Sequence, residues 1–245
     1  MAYIIAVAGK GGVGKTTVSA FLIKRLLKID KPVLAIDADP NSNLNILLGY
    51  DYKETISDIR EDARTLSSPS LPKSDFFSMK LEEIIVEGDG VDLLVMGRPE
   101  GPGCYCAVNN ILREYLGKLS KHYKFVVIDN EAGMEHLSRR TANNIDKLLL
   151  VSDATMVGVQ SAINAFNTAK KTGLNIRDVG LLINKSKTLL DEAKLKLVKE
   201  AGLNIEGYIP FEEKIEKNSE AGNNLAGMDI KGLDSIFESL VHRAA

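Results

Sequence analysis

The feature that most constrains this chain lies at its start. An apolar run, Tyr3–Ala8, passes directly into Gly9-Lys10-Gly11-Gly12-Val13-Gly14-Lys15-Thr16-Thr17. A strand buried on both faces reads as an unbroken apolar run. The pattern after it, G-x-x-x-x-G-K-[ST], wraps phosphates when it follows a strand and opens a helix, which is its setting here. Gly9, Gly11, Gly12 and Gly14 let the backbone turn tightly, with Val13 among them, and aim N–H groups at phosphate oxygens. The helix beyond points its positive end at the same anion. On this reading Lys15 contacts the β- and γ-phosphates, the Thr16 hydroxyl ligates Mg²⁺ and Thr17 reaches the α-phosphate.

The rest of the chain keeps the strand–helix alternation. Short apolar runs recur at Pro32–Asp37, Val91–Met96, Phe125–Asp129, Lys147–Ser152, Val179–Asn184 and Ile205–Ile209. Helical periodicity lies between them; in Thr16–Lys28, Val18, Phe21, Leu22, Arg25 and Leu26 recur three and four apart. Such alternation implies right-handed βαβ crossovers: an α/β fold with a single doubly wound, mainly parallel sheet and helices on both faces. No repeat or composition break divides the 245 residues, so one phosphate-loop domain is expected over 1–245. The stretch 41–90 interrupts the pattern with Ser67-Ser68-Pro69-Ser70-Leu71-Pro72 and is expected to form a switch or lid insertion.

Charge narrows the partners. With 31 basic and 33 acidic residues the net charge is −2, which argues against a broad basic surface for nucleic acid or anionic lipid. No apolar run approaches the ~18 residues of a membrane span. Residues 1–8 lack a basic leader, so the expectation is a cytoplasmic protein without a signal peptide.

Two acidic stations follow strands. Asp37-Ala38-Asp39-Pro40 closes the second run, at the strand end where ligands meet a parallel sheet, although Asp39-Pro40-Asn41 also suits a helix cap. Asp129 ends the run Phe125–Asp129 and has the placing of the acid that holds Mg²⁺ through water. Another strand ends in Asn184-Lys185-Ser186-Lys187. Guanine recognition by N-K-x-D needs an aspartate acceptor where this chain has Lys187, which has none, so ATP and ADP are the expected nucleotides, with Asn184 and Lys185 at the base end.

Both cysteines stand at i and i+2, in Gly101-Pro102-Gly103-Cys104-Tyr105-Cys106, within a loop expected over 98–107. In an extended stretch these two thiolates point to one side and can converge on an ion. Two ligands fall short of the four that Zn²⁺ or Ni²⁺ wants, and a two-fold dimer doubles them. The alternatives are ordinary reduced thiols or a strained disulfide. His122, His136 and His242 are scattered and form no storage tract.

Lys10 takes the argument further, since an ordinary phosphate loop needs no second lysine there. The loop resembles the deviant Walker A motif, K-G-G-x-G-K-[ST], of the MinD/ParA/nitrogenase iron protein class. That resemblance implies that Lys10 reaches across a dimer to the partner's nucleotide and that Asp39 positions or activates the attacking water. It also implies that Gly133 offers its N–H to the γ-phosphate in a nucleotide-sensing switch, and that the loop at Pro210-Phe211 encloses the base. Relatives usually carry Ser-Pro after the Mg²⁺ acid, where this chain has Asn130-Glu131. With Cys104-Tyr105-Cys106 and Ala132-Gly133-Met134-Glu135-His136-Leu137 added, the chain is similar to the CooC-type ATPases, with Glu131 pointing to the AcsF branch.

What this implies is a homodimeric ATPase carrying Ni or Zn on shared cysteines, with a nickel enzyme, carbon monoxide dehydrogenase or acetyl-CoA synthase, as client. The alternative is a MinD/ParA-like partition or positioning ATPase whose cysteines are structural. Its membrane-binding version needs a basic amphipathic tail, whereas Ile230–His242 carries Asp234 and Glu238 and reads as a packing helix. A nitrogenase-like electron donor needs two well-separated cysteines per chain, and this chain has one contiguous pair.

Overall fold

In the computed structural model, strands and helices take turns along the chain as the apolar runs require. The structure describes residues 2–65, 73–98, 115, 117, 122–132, 144–171, 174–225, 228, 233 and 236–238. The order is β1 (Tyr3–Gly9), α1 (Lys15–Leu26), β2 (Val33–Ala38), α2 (Leu44–Leu48), α3 (Ile56–Thr65), α4 (Lys73–Ile84), β3 (Val86–Glu87) and β4 (Val91–Val95). It continues with β5 (Phe125–Asn130), β6 (Asn144–Ser152), α5 (Met156–Lys171), β7 (Asn175–Ser186), α6 (Glu192–Glu200), β8 (Asn204–Pro210) and α7 (Glu213–Glu220).

The strands form one eight-stranded sheet in the order β3-β4-β2-β5-β1-β6-β7-β8. Only β3 runs antiparallel, pairing with β4 at the edge. Successive side chains on a strand point to opposite faces, and the core divides accordingly. Ala6, Ala8, Leu148 and Leu150 join one layer with Ile56, Ile59 and Leu81 of α3 and α4 and with Val159 and Phe166 of α5. Ile5, Val7, Leu149 and Val151 join the other with Val18, Leu22 and Leu26 of α1 and with Leu233 and Phe237. Helices on both faces make the sheet doubly wound, as the alternation requires. Among the described residues, no helix is long and apolar enough to cross a membrane.

Two differences from the sequence reading have physical causes. The described part of 41–90 is not a bare loop: it folds into α2, α3, α4 and β3, with Leu44, Leu47, Ile56, Ile59, Leu81 and Ile84 buried. The Ser/Pro-rich stretch 66–72 lies outside the described residues. β6 and β7 begin several residues before their apolar runs because polar residues, Asn144 and Asp146 in β6 and Asn175, Arg177 and Asp178 in β7, break the apolar pattern there. The Lys147 ammonium, 3% exposed, donates to Asp178 at 2.7 Å and also to Glu206. A buried charge is tolerated only with such partners.

Candidate nucleotide site

β1 lies between β5 and β6, while the chain leaves it for β2 on one side and later returns to build β6 on the other. Ligands bind at such reversals, beyond the carboxyl ends of the strands. Residues 10–14 form a loop here, and α1 begins at Lys15 directly behind it. Two glycines are required by geometry. Gly9 sits at φ +153°, where a Cβ would overlap the Val151 carbonyl oxygen of β6. Gly14 precedes α1 in the left-handed region, at φ +88°, and a Cβ there would lie 2.5 Å from Asn184 Nδ2.

The loop is held from the far strand. Asn184 Nδ2 donates to the Val13 carbonyl at 2.8 Å, and Lys185 Nζ donates to the Gly12 carbonyl at 3.2 Å. Lys185 itself adopts φ +53°, a conformation that side chains other than Gly and Asn rarely take. Lys15 is 7% exposed, its Nζ 3.4 Å from the Lys10 carbonyl oxygen. Lys10 is exposed and is not among the residues of the cavity wall.

Two carboxylates are buried beneath the loop. Asp129 accepts from Ser19 Oγ at 2.9 Å through Oδ1, while its Oδ2 is buried with no hydrogen-bond partner. Burial pushes its carboxyl up from 3.8 to about 6, and the Thr16 and Ser19 hydroxyls and the Lys15 ammonium pull the other way. Asp37, its register partner on β2, is raised to about 7 by burial and by the Asp129 charge. Asp39 lines the cavity, its Oδ1 accepting from the backbone and side-chain nitrogens of Asn41 at 2.9 and 3.0 Å.

The cavity measures about 650 Å³, within the range of nucleotide-sized sites. One end is the phosphate loop, with Gly11, Gly12, Gly14, Lys15, Thr16 and Thr17. The other is walled by Ile46 and Leu47 of α2, by Pro210 and Phe211, and by Ile215, Glu216 and Ser219 of α7. Asn184, Lys185 and Glu131 lie in the same wall. Lys187 Nζ sits 5.6 Å from the centre of the Phe211 ring.

Of the residues singled out in the sequence and described, Gly11, Gly12, Gly14, Lys15, Thr16, Thr17, Asp39, Asn184, Lys185, Pro210 and Phe211 line the cavity, whereas Gly9, Lys10, Val13 and Asp129 do not. Val13 is buried beneath the loop, and Asn130 does not face the cavity: its Nδ2 donates to the Val7 and Ile128 carbonyls, which makes it a cross-link within the sheet. Gly133, Cys104, Cys106, His136 and His242 lie outside the described residues; His122 is exposed. Among the described residues no group of three or more His, Cys, Asp or Glu could hold a metal ion. Sequence reasoning missed Ser19 and the α2 and α7 walls. Ser19 was within reach of it, standing three residues after Thr16 on one helix face. The α2 wall carried no signal, because five residues are too short for periodicity to show.

Residues 4–225 match the family model described as the CobQ/CobB/MinD/ParA nucleotide binding domain. An uncharacterized ATP-binding protein of Methanocaldococcus jannaschii is 43% identical, over 98% of this chain and 99% of its own. The carbon monoxide dehydrogenase accessory protein CooC of Rhodospirillum rubrum is 32% identical, over 89% of this chain and 87% of its own. In structure, the cell division ATPase MinD of Pyrococcus furiosus superposes with a TM-score of 0.70 over all of both chains, at 23% identity.

Proposed function

We propose, from the premise that the chain belongs to the CobQ/CobB/MinD/ParA nucleotide-binding family, that it is a Mg²⁺-dependent, dimeric ATPase that carries Ni or Zn to a nickel enzyme. The observation that carries the hydrolytic half is the buried Asp129 Oδ2, a carboxylate oxygen without a partner behind a phosphate loop. Buried polar atoms are normally satisfied, so an orphan on a carboxylate suits a hard divalent cation. Thr16 and Asp129 would hold Mg²⁺, which neutralises charge on the β- and γ-phosphate oxygens when bound.

The chain's own residues do the rest. Loop N–H groups cradle the phosphates, and Lys15 exchanges the Lys10 carbonyl for phosphate oxygen as the charge arrives. Asp39, steadied by Asn41, orients the water that attacks the γ-phosphorus; the bond to the β–γ bridging oxygen breaks, leaving ADP and phosphate. Lys10, outside the cavity wall of its own chain, would complete a partner's site. Gly133 would sense the γ-phosphate. At the other end Asn184, Lys185, Pro210 and Phe211 would enclose adenine. We read 1–245 as one domain with 41–90 as its switch region.

The metallochaperone half draws on Cys104-Tyr105-Cys106 and on the likeness to CooC. In this reading carbon monoxide dehydrogenase or acetyl-CoA synthase is the client. A MinD-like positioning ATPase with structural cysteines shares the nucleotide chemistry and differs in carrying no Ni or Zn on its cysteines. The test of the shared half is a pair of variants. Lys15→Ala loses nucleotide binding, and Asp39→Ala binds ATP with Mg²⁺ but does not turn it over. Full phosphate release by Asp39→Ala would sink this assignment.

A further inference from the structure

Asp37 is used by none of the roles above, yet both of its carboxylate oxygens accept backbone N–H groups. It is fully buried. Its backbone is fixed on both sides, in register with Val95 of β4 and Asp129 of β5, and its carbonyl accepts from Met96 N at 2.9 Å. From this rigid base Oδ1 accepts from Asp39 N at 3.1 Å and Oδ2 accepts from Leu44 N at 2.9 Å.

One side chain thus closes both ends of the 39–43 turn. Inside it, Ser42 N and Oγ both donate to the Asp39 carbonyl, at 2.9 and 3.2 Å, with Ser42 at φ +47°. Asn43 makes no side-chain cap for α2, so Asp37 takes over that task from seven residues away. α2 then presents Ile46 and Leu47 to the cavity and accepts Leu225 N on the Leu47 carbonyl at 2.8 Å.

We propose that Asp37 is the positioning residue of the hydrolytic site: by gripping Asp39 N and Leu44 N together, it fixes the Asp39 carboxylate and the α2 wall relative to the phosphate loop. The inference rests on the ATPase reading and deepens it. A carboxylate is needed because both atoms must accept. An asparagine offers one acceptor, and its NH₂ would face a second donor. Small misplacement of a water-orienting group costs turnover far more than binding.

The experiment measures ATP binding and turnover of wild type and Asp37→Asn. Expected are a dissociation constant for Mg-ATP within about threefold of wild type and a kcat lowered by about tenfold or more. An unchanged kcat in Asp37→Asn overturns the inference, and so does a Kd weakened in step with kcat. Wild type failing to hydrolyse ATP at all would instead overturn the ATPase reading. Hydrogen exchange on unliganded wild type keeps the inference testable if the variant does not fold. The amides of Asp39 and Leu44 should be protected together, and free exchange at both would refute the grip.

Discussion

Asp37 on β2 and Asp129 on β5 are direct register partners across adjacent parallel strands, and both side chains are buried. Burial raises both carboxyls above the usual carboxylate range, and the Asp129 charge raises Asp37 further.

That relationship has a sign. An acid whose folded value is raised favours the folded state at low pH, and the benefit is lost as pH climbs through the folded value. For Asp129, 3.8 to about 6 corresponds to about 3 kcal/mol. Nucleotide-free protein should therefore lose stability between about pH 4 and 7. Asp129→Asn, which keeps an acceptor for Ser19, should melt roughly 5–10 °C above wild type at pH 8 yet gain nothing from Mg-ATP. Equal melting of the two at pH 8 would contradict it.

Lys10 should behave differently from Lys15 although both belong to one loop. Lys10→Ala is expected to bind ATP nearly as wild type while failing to form the nucleotide-dependent dimer or to hydrolyse. Light scattering with and without ATP reads this out. A normal dimer with normal rates would make Lys10 a surface charge.

Base selectivity turns on Lys187, whose ammonium lies over Phe211 where a guanine-binding loop would carry an acceptor. ATP should outcompete GTP by about tenfold or more, and Lys187→Asp should narrow the gap. Equal competition by GTP in wild type would defeat the adenine assignment.

Cys104 and Cys106 should bind one Ni²⁺ or Zn²⁺ per two chains, more weakly as pH falls, because thiolate ligands must lose protons. Metal analysis with sizing chromatography, on wild type and Cys104→Ser, decides it. One metal per monomer, or full binding by the serine variant, would favour other ligands. No metal in either would favour the positioning ATPase.

The sequence made the sheet legible because strands buried on both faces betray themselves as apolar runs; Tyr3–Ala8 and Phe125–Asp129 match β1 and β5 to within a residue. The starts of β6 and β7 were hidden by polar residues, Asn144 and Asp146 in one and Asn175, Arg177 and Asp178 in the other, which break the apolar runs. The phosphate loop was readable because backbone geometry dictates its glycines. Asp37 was visible as a neighbour of Asp39 but not as a clamp, since a bond to Leu44 N depends on how the intervening turn folds. The two-residue β3 and the five-residue α2 are too short to carry any period.

The grip of Asn184 and Lys185 on the Val13 and Gly12 carbonyls bears on thermodynamics more than on contacts. A loop anchored by its own chain has surrendered its freedom during folding, so nucleotide arrival orders little backbone. Phosphate affinity is then partly a property of how well β7 is seated in the sheet. Loosening β7 against β8 would leave the phosphate-loop residues themselves unchanged and still weaken binding, through entropy returned to the loop.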